Sequence, residues 1–327
     1  MDISTKLANI NLPVLLYNAA GCRCTKNKEL DILNVSQTGA ILTKSSTIKS
    51  IITSSNCNQY YDDIGGINHI GLSNMGYEYY LNYYISRVTN NKLAKPFIHS
   101  LYAFDTDELK KMFTNIYTKL DMLHQNYVSP STYMMEINLS CPNTSSFASG
   151  LGICYDFELF ESYLDTIKNN NVLNIPIGIK LAPYFNKSDF NIVSNLLLKY
   201  DIDYITCINT LPNSFMIDIY RERPCIQTNN GQGGLSGKYI QPISLANIYN
   251  FHNILHDKID IVACGGISSG EDIVKTILCG AKAVQIGTIL QTENYTCINR
   301  IIGELYDIMR HKNYKKIRDF IPIISRM

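Results

Sequence analysis

The chain has 327 residues, 17% of them charged, and a formal net charge of +1. That length suits one large barrel or two small domains, and an evenly charged, near-neutral chain offers no field for nucleic acid or a membrane surface. Partners of those two kinds are excluded, which leaves a small-molecule enzyme or binder.

The opening run MDISTKLANINLPVLLYN carries Asp2 and Lys6 with only a brief apolar stretch, unlike a secretory signal or an anchor. No apolar stretch approaches the roughly 20 residues that span a bilayer, so a soluble protein is expected. Ten cysteines include no C-x-x-C pair, and reduced thiols are the expectation. Six scattered histidines have no metal-ligand spacing, so no metal is expected.

Short apolar or β-branched runs bounded by turn residues predict strands at Val14–Tyr17, Ala40–Thr43, Pro96–His99, Met134–Leu139, Ile177–Leu181, Tyr204–Ile208, Ile259–Ala263 and Ala283–Ile286. Helical spacing falls between most of them, at Lys26–Gln37, Thr106–Leu123, Phe157–Asn169, Ser188–Lys199, Pro242–Leu255 and Gly270–Leu278, and again at Cys297–His311. This alternation specifies an α/β fold of the (β/α)8 TIM-barrel type, one domain over residues 1–327. Three excursions interrupt it and are expected to build loops at the C-terminal mouth: Ser45–Tyr84, ending in the aromatic-rich GYEYYLNYY; Thr144–Tyr155; and the Gly- and Pro-containing Leu211–Tyr239. There is no interdomain linker, solenoid repeat or low-complexity tract.

Functional groups in such barrels gather where strands end. The run Met134–Asn143 passes from a buried strand into a loop at Cys141-Pro142-Asn143. It sets a thiol that can exchange a proton beside Asn138 and Asn143, whose carboxamides suit an amide-rich ring. A lone strand-end cysteine is ordinarily inert filler, so the other strand ends must decide. Strand one ends in Asn18-Ala19-Ala20-Gly21, strand two in Lys44-Ser45, strand five near Lys180 and strand six at Asn209-Thr210. Either lysine can stabilise negative charge on a reduced ring or hold a substrate carboxylate, and a rim lysine with its head in water is the competing account. Gly265-Gly266 after strand seven and Gly287-Thr288 after strand eight occupy the usual phosphate loops of this fold. Gly237 closes a glycine-rich run, 231–237, that offers another close backbone approach or is simply a flexible loop. Asn68 is either a turn residue or an amide for a small carboxylate.

The segments NAAG, TKSSTI, GGINHIGLSNMGYEYYLNYY, NLSCPN, GIKLAPYF, GGLSGKYI, ACGGISSG and LCGAKAVQIGT cover the chain nearly end to end. In them the sequence resembles the dihydroorotate dehydrogenase family, class 1A. The resemblance implies an FMN-dependent, cytoplasmic homodimer of de novo pyrimidine biosynthesis that oxidises dihydroorotate to orotate and passes electrons to fumarate. It implies Cys141 as general base, and Lys44 with Asn68, His69, Ile70, Gly71 and Leu72 around the substrate carboxylate. Asn138, Asn143, Asn209 and Thr210 would hold the pyrimidine. Flavin contacts would come from Ala20, Lys44, Ser45, Asn138, Lys180, Ile208 and Gly237, with the phosphate at Gly265, Gly266, Gly287 and Thr288. A lid over residues 144–155 would close on the substrate.

This chain departs from the family pattern at Ala20 (usually Ser), at His69-Ile70 (usually Ser-Met), at Thr210 (usually Ser) and in the stretch after Thr47. The alternatives are a related flavin-barrel reductase of another dihydropyrimidine and a non-catalytic FMN-binding member. The first type usually has His where Asn143 stands. A class 1B complex with an iron–sulfur partner using NAD is a third, and the tyrosine-rich segment favours 1A.

Overall fold

The computed structural model describes residues 1–52, 58–125, 127, 133–140 and 152–323. Eight strands form one parallel sheet: β1 (Leu16–Asn18), β2 (Ile41–Leu42), β3 (Phe97–Leu101), β4 (Tyr133–Asn138), β5 (Ile177–Leu181), β6 (Tyr204–Cys207), β7 (Asp260–Cys264) and β8 (Ala283–Ile286). The order around the sheet is β1-β8-β7-β6-β5-β4-β3-β2. Each strand predicted from the sequence is present, shifted at most by a residue or two at its ends.

The two edge strands, β1 and β2, close the barrel by a means other than a regular ladder. Gly39 N–H donates to Leu16 O at 2.8 Å. The Asn18 side chain then takes the place of a strand, its Nδ2 donating to Leu42 O (2.7 Å) and its Oδ1 accepting from Leu42 N (3.0 Å). Gly39 is obligatory at this seam, since a Cβ there would lie 1.6 Å from Val14 O. A closed sheet has no edge left to aggregate.

Side chains alternate along each strand, so each contributes to two compartments. On β3 and β4, Phe97, Leu101, Tyr133, Met135 and Ile137 pack outward under the helices, while Ile98 and Met134 point to the axis. The axial set at the N-terminal end is apolar: Tyr17, Leu42, Ile98, Met134, Tyr204, Val262 and Ala283. A hairpin of Thr5–Leu7 with Ile10–Leu12 stoppers this end, its Leu7 and Leu12 fully buried in the same cluster. Inside it, the Tyr204 ring lies where a side chain of Gly178 would be. A Cβ at Gly178 would stand 2.1 Å from Tyr204 Cε2, and the Tyr204 hydroxyl donates to Met135 O at 2.9 Å.

The helices are α1 (Asn27–Val35), α2 (Tyr77–Thr89), α3 (Thr106–His124), α4 (Phe157–Asn170), α5 (Lys187–Lys199), α6 (Gln241–Leu255), α7 (Gly270–Leu278), α8 (Thr288–Thr292) and α9 (Thr296–His311). Asp105, Asp156 and Ser269 cap α3, α4 and α7 by accepting from the backbone N–H three residues on. Among the described residues no helix is long and apolar enough to cross a membrane.

Two of the expected excursions contain regular structure. The Ser45–Tyr84 excursion runs into α2, whose Tyr77, Tyr80, Leu81 and Tyr84 recur at helical spacing on the buried face. Tyrosine buries its ring there and exports its hydroxyl: Tyr80 donates to Thr25 O and Tyr83 to Asp31. In addition, Gln59–Tyr61, Gly65–Asn68, Leu211–Phe215 and Gln232–Gly237 form a four-stranded antiparallel sheet that joins the first and last excursions. Residues 144–151 of the remaining excursion lie outside the described residues, and Ile153–Tyr155 forms a single 3-10 turn.

Replacing Gly178 by alanine is expected to cost about 1–3 kcal/mol by overpacking against Tyr204, and less in a Tyr204→Val background. Denaturant unfolding of the single and double variants checks this, and equal losses in both backgrounds would show that the ring is not what the methyl group meets.

Candidate active site

The C-terminal ends of the strands and the antiparallel sheet enclose a cavity of about 460 Å3, within the ordinary range for a cofactor site. Its lining includes Ala20, Lys44, Ser45, Asn68, Ile70, Gly71, Leu72, Asn138, Lys180, Ile208, Asn209, Thr210, Gly237, Gly265, Gly266, Gly287 and Thr288. These residues come from seven strand ends and two excursions, and all were candidates from the sequence. His69 is not in the lining; its backbone N–H is tied to Asn58 O at 2.7 Å, and burial holds its imidazole below the usual range. Cys141 and Asn143 lie outside the described residues, directly after Ser140 at the end of β4.

The carboxamides are fixed by a chain of hydrogen bonds crossing the mouth. Asn209 Nδ2 donates to Ser140 Oγ (2.8 Å), Ser140 Oγ donates to Asn138 Oδ1 (2.9 Å), and Asn138 Nδ2 donates to Ser45 Oγ (3.1 Å). Ser45 in turn meets Ser100 Oγ at 2.9 Å. Four strand ends are thereby locked together, with each amide's orientation set by its partners. Thr210 N–H donates back to Asn209 Oδ1 at 2.8 Å, while its hydroxyl occupies the space that a side chain at Gly234 would need. The antiparallel sheet brings Asn68 to the same place, its Nδ2 reaching Gly234 O at 3.4 Å.

The two lysines are held differently. Lys44 is half-buried, and its Nζ would be 3.2 Å from a Cβ at Gly21, which has φ +86°. The bare glycine after β1 thus makes room for the ammonium. Lys180 is buried at the cavity floor, with Nζ donating to Gln285 Oε1 at 3.0 Å. Burial opposes its charge, but Cys264 and Glu136 nearby outweigh that and hold its ammonium above the ordinary lysine range.

At the other end of the cavity the wall is bare backbone. Gly265 and Gly266 take φ of +125° and +76°, and a Cβ on Gly266 would lie 2.4 Å from Gln241 Cβ. Gly287 faces Cys22, whose Sγ would be 3.3 Å from a Cβ there, and Ser268, Ser269 and Arg300 complete this end. Burial pushes the Cys22 thiol up to about 11, so it stays neutral. Arg300 bonds Glu293, Glu304 and the carbonyl of Ser268, which leaves it a brace for this loop.

Sequence reasoning missed the inner layer beneath the floor: Tyr17, Glu136, Thr206 and Gln285. Strand parity is the signal that reveals it, because Glu136 shares its face with Asn138, two residues on. It also missed Tyr61, which reaches the cavity from the antiparallel sheet and packs its ring where Gly66 has no side chain.

Comparison with known proteins agrees with this arrangement. The family described as "Dihydroorotate dehydrogenase" matches residues 2–309. A Kluyveromyces lactis protein named "Dihydroorotate dehydrogenase (fumarate)" is 36% identical over 307 residues, 93% of this chain and 92% of its own. A Lactococcus lactis subsp. cremoris protein named "Dihydroorotate dehydrogenase A (fumarate)" is 34% identical over 319 residues, 97% of each chain. A Saccharomyces cerevisiae protein with the same name as the Kluyveromyces one is 34% identical over 321 residues, 98% of this chain and 97% of its own. With its barrel complete and its strand-end groups converging on one cavity, the chain belongs to the dihydroorotate dehydrogenase family.

Proposed function

We propose that this protein oxidises dihydroorotate to orotate in de novo pyrimidine biosynthesis, with FMN as its cofactor and fumarate as the final acceptor. The observation that carries the reading is the convergence of two lysines and two braced asparagines on a cavity whose other end is walled by the glycine backbone of Gly265, Gly266 and Gly287. That donor set fits FMN: cations and amides suit an electron-poor ring and its polar edge, and glycine loops suit a phosphate. When bound, FMN supplies a two-electron acceptor for the hydride that leaves C6 of dihydroorotate. The ring is assigned to Ala20, Lys44, Ser45, Asn138, Lys180, Ile208 and Gly237, and the phosphate to Gly265, Gly266, Gly287 and Thr288.

In this reading Cys141 takes the proton from C5 while C6 loses its hydride, so that the C5–C6 double bond of orotate forms. Lys44 with Asn68, Ile70, Gly71 and Leu72 neutralise and orient the substrate carboxylate. Asn138, Asn143, Asn209 and Thr210 match the alternating donors and acceptors of the pyrimidine ring. Asn138 and Asn209 are pre-oriented through Ser140, and the Thr210 N–H bonds the Asn209 carboxamide, so little orienting cost remains for these groups when substrate binds. Of the lid expected over residues 144–155, 144–151 lie outside the described residues, and Ile153–Tyr155 is a buried 3-10 turn bonded to Leu139, Pro183 and Tyr184, which fits an anchor rather than a moving lid.

Residues 1–327 are taken as one catalytic domain, and the protein as a cytoplasmic homodimer, in keeping with its resemblance to class 1A. Support for the dimer is the excursion after β6, where Phe215, Ile217, Ile219 and Tyr220 are exposed together near a two-stranded hairpin. Apolar side chains exposed within one short segment are what an interface between copies would cover.

Cys141→Ala is expected to lose about 10²- to 10⁴-fold in turnover, the usual contribution of a general base, while binding orotate as the parent does. Because a free thiol titrates near about pH 8.5, the parent's rate should climb through the alkaline range, and stopped-flow flavin reduction against pH reads both effects. In steady-state assays orotate should form faster with fumarate than with NAD as acceptor. A preference for NAD would remove the fumarate assignment.

A further inference from the structure

Beneath the cavity floor the barrel holds a buried carboxylate that the proposed chemistry does not use. Glu136, on β4, is fully buried. Its Oε2 accepts from Thr206 Oγ1 and from Gln285 Nε2, both at 2.7 Å, while its Oε1 has no hydrogen-bond partner among the described residues. An unsatisfied carboxylate oxygen at such depth is costly, and a nearby cation is what compensates it. That cation is Lys180, reached through one side chain: Gln285 Oε1 accepts from Lys180 Nζ at 3.0 Å.

The orientation of Gln285 is therefore determined by its two neighbours. Turned over, its NH2 would face an ammonium and its carbonyl a carboxylate, and both contacts would repel. In the observed sense the carboxamide dipole points from anion to cation and couples them. Tyr17 OH, 3.4 Å from Gln285 Nε2, steadies the same group. Lys180 is thus fixed at its head by Gln285, with Cys264 beside it, where it lines the cavity.

We propose that Glu136 is a positioning residue for the cofactor: acting through Gln285, its carboxylate aims the Lys180 ammonium at the flavin, keeps it charged, and thereby sets the flavin's reduction potential. This inference rests on the flavin reading given above. The titratable groups facing Lys180 are Glu136 from β4, Cys207 from β6, Cys264 from β7 and Cys22 after β1. Burial holds the Cys22 and Cys207 thiols far above neutral pH, so neither supplies a counter-charge there. Cys264 is the one other candidate and is included in the test.

A protonated lysine beside the ring favours the reduced, electron-rich flavin, and its loss of a proton withdraws that favour. A buried lysine stripped of its counter-ion titrates several units below its ordinary value. The experiment is spectroelectrochemical titration of the flavin in purified holoenzymes across roughly pH 6 to 9. The parent should show no break in potential from Lys180 in this range. Glu136→Gln should bind flavin and show an added downward break between about pH 7 and 9, corresponding to one further proton per two electrons, and Glu136→Asp should restore the parent profile. If Glu136→Gln does not fold, Gln285→Leu cuts the same link and should give the same break. A yellow, dihydroorotate-reducible Glu136→Gln or Gln285→Leu protein whose profile superimposes on the parent's would overturn the inference, as would a break produced by Cys264→Ala instead. A colourless parent protein would remove the flavin reading itself.

Discussion

An ammonium group can persist inside a closed barrel only beside an anion or a set of oriented acceptors, and Lys180 has both. The structure of the mouth follows from that constraint. Glu136, Thr206, Gln285 and Tyr17 form a polar layer between the apolar plug below and the cavity above. Removing any one member leaves buried polar atoms unpaired, so the layer is rigid where the floor of the site needs rigidity. A fully apolar interior would be the more stable choice for a barrel of this size, and the charged layer is the concession made to chemistry.

Stability comes from other parts of the barrel. The N-terminal end of the axis is filled by Leu7, Leu12, Met134, Tyr204 and Val262, with the Tyr204 ring set in the space beside Gly178. The outward strand faces and the helices form a larger apolar shell, into which α2 contributes four buried tyrosines. The seam between β1 and β2 is closed by the Asn18 carboxamide, so no strand edge remains at the point where the first functional loop begins. Each strand therefore divides its work: one face holds the shell, and the other is dry at one end and polar at the other.

The eight strands were legible as short apolar runs because a parallel barrel strand is buried on both sides. Lys44, Asn138, Lys180 and Asn209 were legible by position, since each stands where an apolar run ends. Helix α2 was obscured by its tyrosines, which read as polar excursion until their spacing of three and four is counted. The antiparallel sheet was hidden by glycines at 65, 66, 233 and 234, whose value lies in what they let approach. At Gly66 that is the Tyr61 ring, and at Gly234 the Thr210 hydroxyl. Glu136 and Gln285 lie within apolar runs, where only strand parity and the position of Lys180 give them a role. His69 looked like a mouth residue from its neighbours, but its side chain falls outside the cavity lining.

The account's central claim is that these strand ends cradle a flavin that dihydroorotate can reduce. Its most direct test is anaerobic titration of the purified protein with dihydroorotate, followed by absorbance. The account predicts a yellow protein whose flavin bands bleach as orotate forms, about one equivalent of substrate emptying each site of oxidant. A colourless protein, or a yellow one whose spectrum dihydroorotate leaves unchanged, would contradict it.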